Sequence, residues 1–98
     1  MNELEKFLTE NKNNEILIFK FSPICGISRS VEREFKDFRI INNYPILEID
    51  VINQRKLSSF TANYFNVIHE SPQLIHLDSN HKVKKHFSHY GILDFLKE

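Results

Sequence analysis

Residues 16–21 read Ile16-Leu17-Ile18-Phe19-Lys20-Phe21, a short and almost wholly apolar run rich in β-formers. Such a run is too short for a membrane span and carries no helical stripe. It fits a central strand covered on both faces. That demand constrains the chain most, because layers must then lie above and below one sheet. Ser22-Pro23 ends the strand, since proline lacks a donor and restricts its predecessor.

The flanking segments supply those layers. Leu4, Phe7 and Leu8 recur at helical spacing and predict a helix of about two turns. Asn13-Asn14 punctuates it. Beyond the strand, Ile27, Val31, Phe35 and Phe38, with Ile41 just past them, form one apolar stripe. Arg29, Glu32, Arg33, Lys36 and Asp37 fill the rest of that helix, and Asn42-Asn43 closes it. A second β-rich run spans Tyr44–Val51. Leu57, Phe60, Ala62 and Tyr64-Phe65 then fit a helix between about Gln54 and Phe65, with Asn53 or a neighbour as its cap.

The last third changes character. His69-Glu70-Ser71-Pro72 reads as a loop, and Gln73–Leu77 as a strand. Asp78-Ser79-Asn80-His81 has the composition of a hairpin turn. Lys82–Phe87 sets Val83 and Phe87 against polar neighbours, the pattern of an edge strand with one wet face. Ile92, Leu93, Phe95 and Leu96 predict a final short helix behind Gly91. The helical link between the first two strands makes them parallel, and the last two form a hairpin. The expected fold is α/β: a four-stranded mixed sheet with helices on both faces, in one domain over residues 1–98.

Composition removes several function classes. Lys plus Arg equals Asp plus Glu, thirteen each, so no global positive field gathers nucleic acid. No apolar run approaches a membrane span. The first ten residues hold Glu3, Glu5 and Glu10 and lack the apolar centre of a signal peptide, which makes the cytoplasm the expected location. Five histidines form no HExxH or C2H2 pattern, and the single cysteine excludes a thiolate-rich zinc site, so no metal is expected.

That cysteine, Cys25, also precludes an intramolecular disulfide. A lone cysteine in such a domain is commonly a small buried hydrophobe. Its place argues otherwise. It falls between the end of a central strand and the start of a helix, where unpaired N–H groups favour negative charge and thus the reactive thiolate. The ligand crevice of an open sheet lies at the same carboxyl ends.

The neighbours each admit two roles. Gly26 serves either close approach of a substrate or relief of crowding at a tight turn. Ser28, in the fourth place of Cys25-Gly26-Ile27-Ser28, donates to the thiolate or satisfies a carbonyl of the first turn. Arg29 adds positive charge or only solubilises. Ser28 also means that no second thiol within the chain can resolve an adduct on Cys25. Ser71-Pro72 precedes the third strand beside the same helix end. A cis bond there would turn the Ser71 carbonyl and N–H toward Cys25 and an extended substrate. His89 is a surface residue or hydrogen-bond partner rather than an assured base. His76 reads as a satisfied core or rim histidine, His81 and His86 as solvent-facing, and His69 and Glu70 as candidates for a groove rim.

Three stretches together resemble a known family. They are Val67-Ile68-His69-Glu70-Ser71-Pro72-Gln73, Phe87-Ser88-His89-Tyr90-Gly91-Ile92 and Ser22-Pro23-Ile24-Cys25-Gly26-Ile27-Ser28. They resemble the monothiol bacilliredoxins, thioredoxin-like proteins of the bacillithiol system. Gly26 stands where that family has proline, and Tyr90 where it has tryptophan. The resemblance implies a thioredoxin-like fold with a cis Pro72. It also implies a monothiol oxidoreductase that strips a small thiol, bacillithiol, from protein mixed disulfides through Cys25. Gly26, Ser28, Ser71, Pro72, His89 and Tyr90 would be its supporting and substrate-binding residues. Its partners would be S-thiolated proteins and the small thiol as co-substrate, with no tightly bound cofactor, and it would act as a monomer. Two other readings are a non-catalytic thioredoxin-like adaptor and a monothiol glutaredoxin-like protein able to hold an iron–sulfur cluster.

Overall fold

The computed structural model describes residues 1–97, and the side chains of all of these except 39–41. The elements follow in the order α1 (Glu3–Glu10), β1 (Ile16–Phe21), α2 (Gly26–Ile41), β2 (Ile46–Asp50), α3 (Arg55–Phe65), β3 (Gln73–Leu77), β4 (Val83–Ser88), a 3-10 turn (His89–Gly91) and α4 (Ile92–Leu96). The four strands form one sheet in the order β2-β1-β3-β4. β1 runs parallel to β2 and antiparallel to β3, and β3 pairs antiparallel with β4. This is the mixed sheet expected from the strand pattern.

The alternation of side chains along β1 divides the interior. Ile16 and Ile18 face a core that includes Leu4 and Leu8 of α1, Ile49, Ile75 and Leu77, with Leu57 and Phe65 of α3 against it. Leu17 and Phe19 face a second core with Val31, Phe35 and Phe38 of α2, Leu74, and Ile92 and Phe95 of α4. The Phe19 and Phe35 rings stack with centroids 4.4 Å apart, which fastens α2 to the strand before it. Ile41, read as the end of the α2 stripe, has its side chain outside the described residues.

Three local expectations need correction. Asn53 does not cap α3. Asp50 Oδ1 accepts the N–H groups of Ile52 and Asn53 in the turn before it, and Gln54 stands at the cap position without a side-chain cap bond. Val83 and Phe87 do not share a face. A register shift between His76 and Leu77 pairs His76 with Lys85 but Leu77 with Val83, so Val83 packs on the first core and Phe87 on the second. His81 is only partly exposed, because its Nε2 lies 2.9 Å from the Asn11 carbonyl. β4 is nonetheless an edge strand, and its turn is held by Asp78 Oδ1, which accepts from Asn80 and Lys82 N–H.

Candidate functional site: a half-buried thiol at the carboxyl end of the central strand

β1 delivers the chain to a tight turn in which the Cys25 N–H donates to the Ser22 carbonyl at 3.2 Å. Cys25 is the N-cap residue of α2, in extended backbone (φ −93°, ψ 125°), and is partly exposed. Its thiol is held below the ordinary range. The largest cause is the main-chain N–H of Ser28; partial desolvation opposes it, and the Ile27 N–H and the Ser28 hydroxyl add to it. These are the donors that a helix leaves free in its first turn. Cys25 thus stands at the N-terminus of α2, where negative charge is favoured. Arg29 is exposed.

Ser28 does more than either reading allowed. It is fully buried, its Oγ accepts the Ser22 N–H at 3.1 Å, and its hydroxyl is among the groups that hold the Cys25 thiol down. No carbonyl of the first turn is its partner in these bonds. Gly26 is the first residue of α2, and a Cβ built there meets no atom within 4 Å. Crowding does not require the glycine; the space above it is open.

The antiparallel register brings the other candidates to the same end. The last β1–β3 pair is Lys20 with Gln73, so the chain enters β3 from Ser71-Pro72 where β1 leaves for Cys25. The Ser71–Pro72 bond is cis, and Pro72 is buried. Gln73 pairs with Ser88, which puts His89 and Tyr90 at this end also. The His89 N–H donates to the Pro72 carbonyl at 2.9 Å, and His89 has a positive φ of 54°. Its described bond here is thus made by the main chain rather than by the imidazole. Ile24, Ile68 and Tyr90 are exposed at 83%, 84% and 55%, unusual for such side chains and concentrated around the strand ends that carry the thiol. Ser71 Oγ and Gln73 Oε1 are buried and find no hydrogen-bond partner among the described residues.

One residue escaped the sequence reading. Lys20, the polar exception in the apolar run, is fully buried. Its Nζ donates to the Ser58 carbonyl at 2.9 Å and lies 3.3 Å from His69 Nδ1. Burial pushes the lysine down to about 8. His69 is also pushed below its ordinary range, first by burial and then by the Lys20 charge, with Glu70 opposing. The signal was present: a lysine inside a doubly covered strand must find buried partners. At the opposite end of β3, His76 is buried with Nε2 2.9 Å from Glu15 Oε1, the satisfied histidine expected there. No group of three or more His, Cys, Asp and Glu side chains able to hold a metal occurs among the described residues. No helix among them is long and apolar enough to cross a membrane.

Solved structures share this architecture. A protein described as having a thioredoxin fold superposes with a TM-score of 0.81 at 24% identity, covering 100% of this chain and 91% of the other. The thioredoxin pre-protein of Schistosoma mansoni gives 0.74 at 20% identity, with 98% and 89% covered. Thioredoxin of Fasciola hepatica gives 0.71 at 20%, with 96% and 88% covered. At these identities the likeness establishes the thioredoxin-like fold alone. The family model described as Monothiol bacilliredoxin BrxC matches residues 1–94. With a single thiol, seated at a helix N-terminus on this fold, the chain belongs to the monothiol bacilliredoxin family and is a monothiol thiol–disulfide oxidoreductase.

Proposed function

We propose that Cys25 removes bacillithiol from protein cysteines in the cytoplasm, where protein thiols are otherwise kept reduced. The Cys25 thiolate attacks the bacillithiol sulfur of a protein mixed disulfide. A bond forms between Cys25 and bacillithiol as the original disulfide breaks. The target cysteine leaves as a thiolate and takes a proton from water. A second bacillithiol thiolate then attacks the bacillithiol sulfur on Cys25, releasing the Cys25 thiolate and bacillithiol disulfide. One disulfide is thus exchanged for another, and the resolving thiol comes from outside the chain, as it must where position 28 is serine.

The observation that carries this reading is the seat of Cys25: partly exposed, capping α2, with its thiol lowered by Ser28 and Ile27. Such a thiolate is both available and accessible. In this scheme Ser28 donates to the sulfur, and open space over Gly26 admits the incoming disulfide. The cis Ser71–Pro72 junction orients the substrate chain, with the buried, unpaired Ser71 hydroxyl beside it. His89 fixes Pro72 through its N–H, and exposed Tyr90 offers an aromatic face to the substrate. The chain acts as a single-domain monomer toward S-thiolated proteins.

The test offers the purified protein a bacillithiol and a glutathione mixed disulfide of the same target protein, side by side, with intact-mass readout. The bacillithiol adduct is expected on Cys25 within the first turnover, and none on a Cys25→Ser variant. Transfer of glutathione alone would replace the small thiol in this scheme. Transfer of neither would end it.

A further inference from the structure

The proposed reaction uses no lysine, yet the chain buries one at the centre of its sheet. Lys20 sits on the face of β1 shared with Ile16 and Ile18, between α3 and the segment that leads into the cis proline. An ammonium group in such a place is costly unless several acceptors meet it. Two do. The Ser58 carbonyl of α3 accepts at 2.9 Å, and His69 Nδ1 lies at 3.3 Å. Ser58 Oγ also lies 3.3 Å from His69 Nδ1. The neutral imidazole with its proton on Nε2 satisfies the lysine contact, since Nδ1 then offers its lone pair to the ammonium.

The register adds a second tether. Gln73 pairs with Lys20 across β1 and β3, and its Nε2 donates to the Ile68 carbonyl at 2.8 Å. Two register partners in the sheet therefore hold two consecutive residues of the segment before Pro72. One holds Ile68 by its main chain and the other holds His69 by its ring. The Ile68 side chain, 84% exposed, is thereby presented to solvent from a fixed backbone. Gln73 is itself buried, so its tether is shielded from competing water.

We propose that Lys20, acting through His69, is a positioning residue that fixes the Ile68–Pro72 segment as the docking rail for the protein half of the mixed disulfide. The role rests on the function proposed above. It concerns recognition of the target polypeptide and not activation of the thiol, whose lowering comes from Ser28 and Ile27. Small disulfides need no rail and should react without it.

The experiment compares Lys20→Met, His69→Leu and His69→Asn with the wild type. Asn carries an amide oxygen near the place of Nδ1 and can still accept from Lys20. KM and kcat are measured on a protein–bacillithiol mixed disulfide. The rate with the small aromatic disulfide dithiobis(nitrobenzoate) and the pH midpoint of Cys25 alkylation are measured in parallel. Lys20→Met and His69→Leu are expected to raise KM for the protein substrate about tenfold, the scale of one lost charge-assisted hydrogen bond. The small-disulfide rate and the alkylation midpoint stay at the wild-type values, and His69→Asn restores most of the loss. His69 is exposed as a residue, so its variants keep the test informative should Lys20→Met fail to fold. Equal slowing of both substrates, or no difference between His69→Asn and His69→Leu, would overturn the positioning role while leaving the proposed function intact. No turnover of the protein mixed disulfide by the wild type would overturn both.

Discussion

Gly26→Pro is expected to stabilise the protein. Gly26 is the first residue of α2, the helical position that proline tolerates best, because the N–H it removes has no intrahelical partner there. Proline also constrains the residue before it, to φ near −120 ± 40° and ψ of about 120–160°. Cys25 already lies inside that region, at φ −93° and ψ 125°. The added ring starts in open space, with nothing within 4 Å of a Cβ. With no strain to set against it, the gain is the entropy removed from the unfolded chain, about 0.4–1 kcal/mol. For a domain of this size, each kcal/mol moves Tm by about 4–8 °C, so Tm should rise by about 2–8 °C. Calorimetric or circular-dichroism melting of the reduced protein measures this. The donors that lower the thiol are the Ser28 and Ile27 N–H groups and the Ser28 hydroxyl, so the alkylation midpoint of Cys25 should not move. A fall in Tm, or a midpoint shifted upward, would show that the Gly26 N–H or the freedom of its φ is needed.

Other expectations follow from single contacts. Ser28→Ala strips a donor from the thiolate and leaves the buried Ser22 N–H without its acceptor; the alkylation midpoint should rise, and urea denaturation should show a loss of about 1–3 kcal/mol. Lys20 titrates at about 8 in the folded chain against 10.5 ordinarily, so the unfolded chain binds more protons between those values and stability rises with pH across that window. At about 1.4 kcal/mol per pH unit, the wild type should gain about 3 kcal/mol relative to Lys20→Met between pH 7 and 11, read from paired urea titrations; a difference that does not change with pH would refute the burial argument. Asn2→Ala should cost about 1 kcal/mol in the same assay, because Asn2 Oδ1 accepts the Glu5 N–H while Glu5 Oε1 accepts the Asn2 N–H.

What the sequence made legible was local or periodic. The β1 run and the α2 stripe each carry their partner requirement in their own residues, and together they place Cys25 at a strand-to-helix junction. What it concealed was set by distant or main-chain partners. Lys20 finds the Ser58 carbonyl 38 residues away and His69 49 residues away, so its burial has no local mark beyond its setting. The displaced register that sends Val83 and Phe87 to opposite faces involves no glycine, and the turn position with φ 61° is filled by His81. Asn53 has the composition of a cap, but the turn N–H groups were taken by Asp50, which sequence spacing does not rank above it. The cis state of Ser71–Pro72 was implied by resemblance rather than by residue chemistry, since most X–Pro bonds are trans.

The serine at position 28 is best understood as a part of the thiol's seat and not merely as a missing second cysteine. A buried hydroxyl can accept from Ser22 and donate to Cys25 at the same time, because it has one proton and two lone pairs. A thiol offers weaker versions of both, and its larger sulfur would have to fit where Ser28 is fully buried. The end of β1 and the start of α2 are thus clasped by the same atom that stabilises the thiolate between them. In the proposed scheme an external thiol takes the part that Ser28 cannot play, so two partners meet the same sulfur. There the recognition of two different partners, a protein chain and a small thiol, must be separated. In the proposed scheme the tethered Ile68–Pro72 segment engages the first of these, and the open space over Gly26 admits the second.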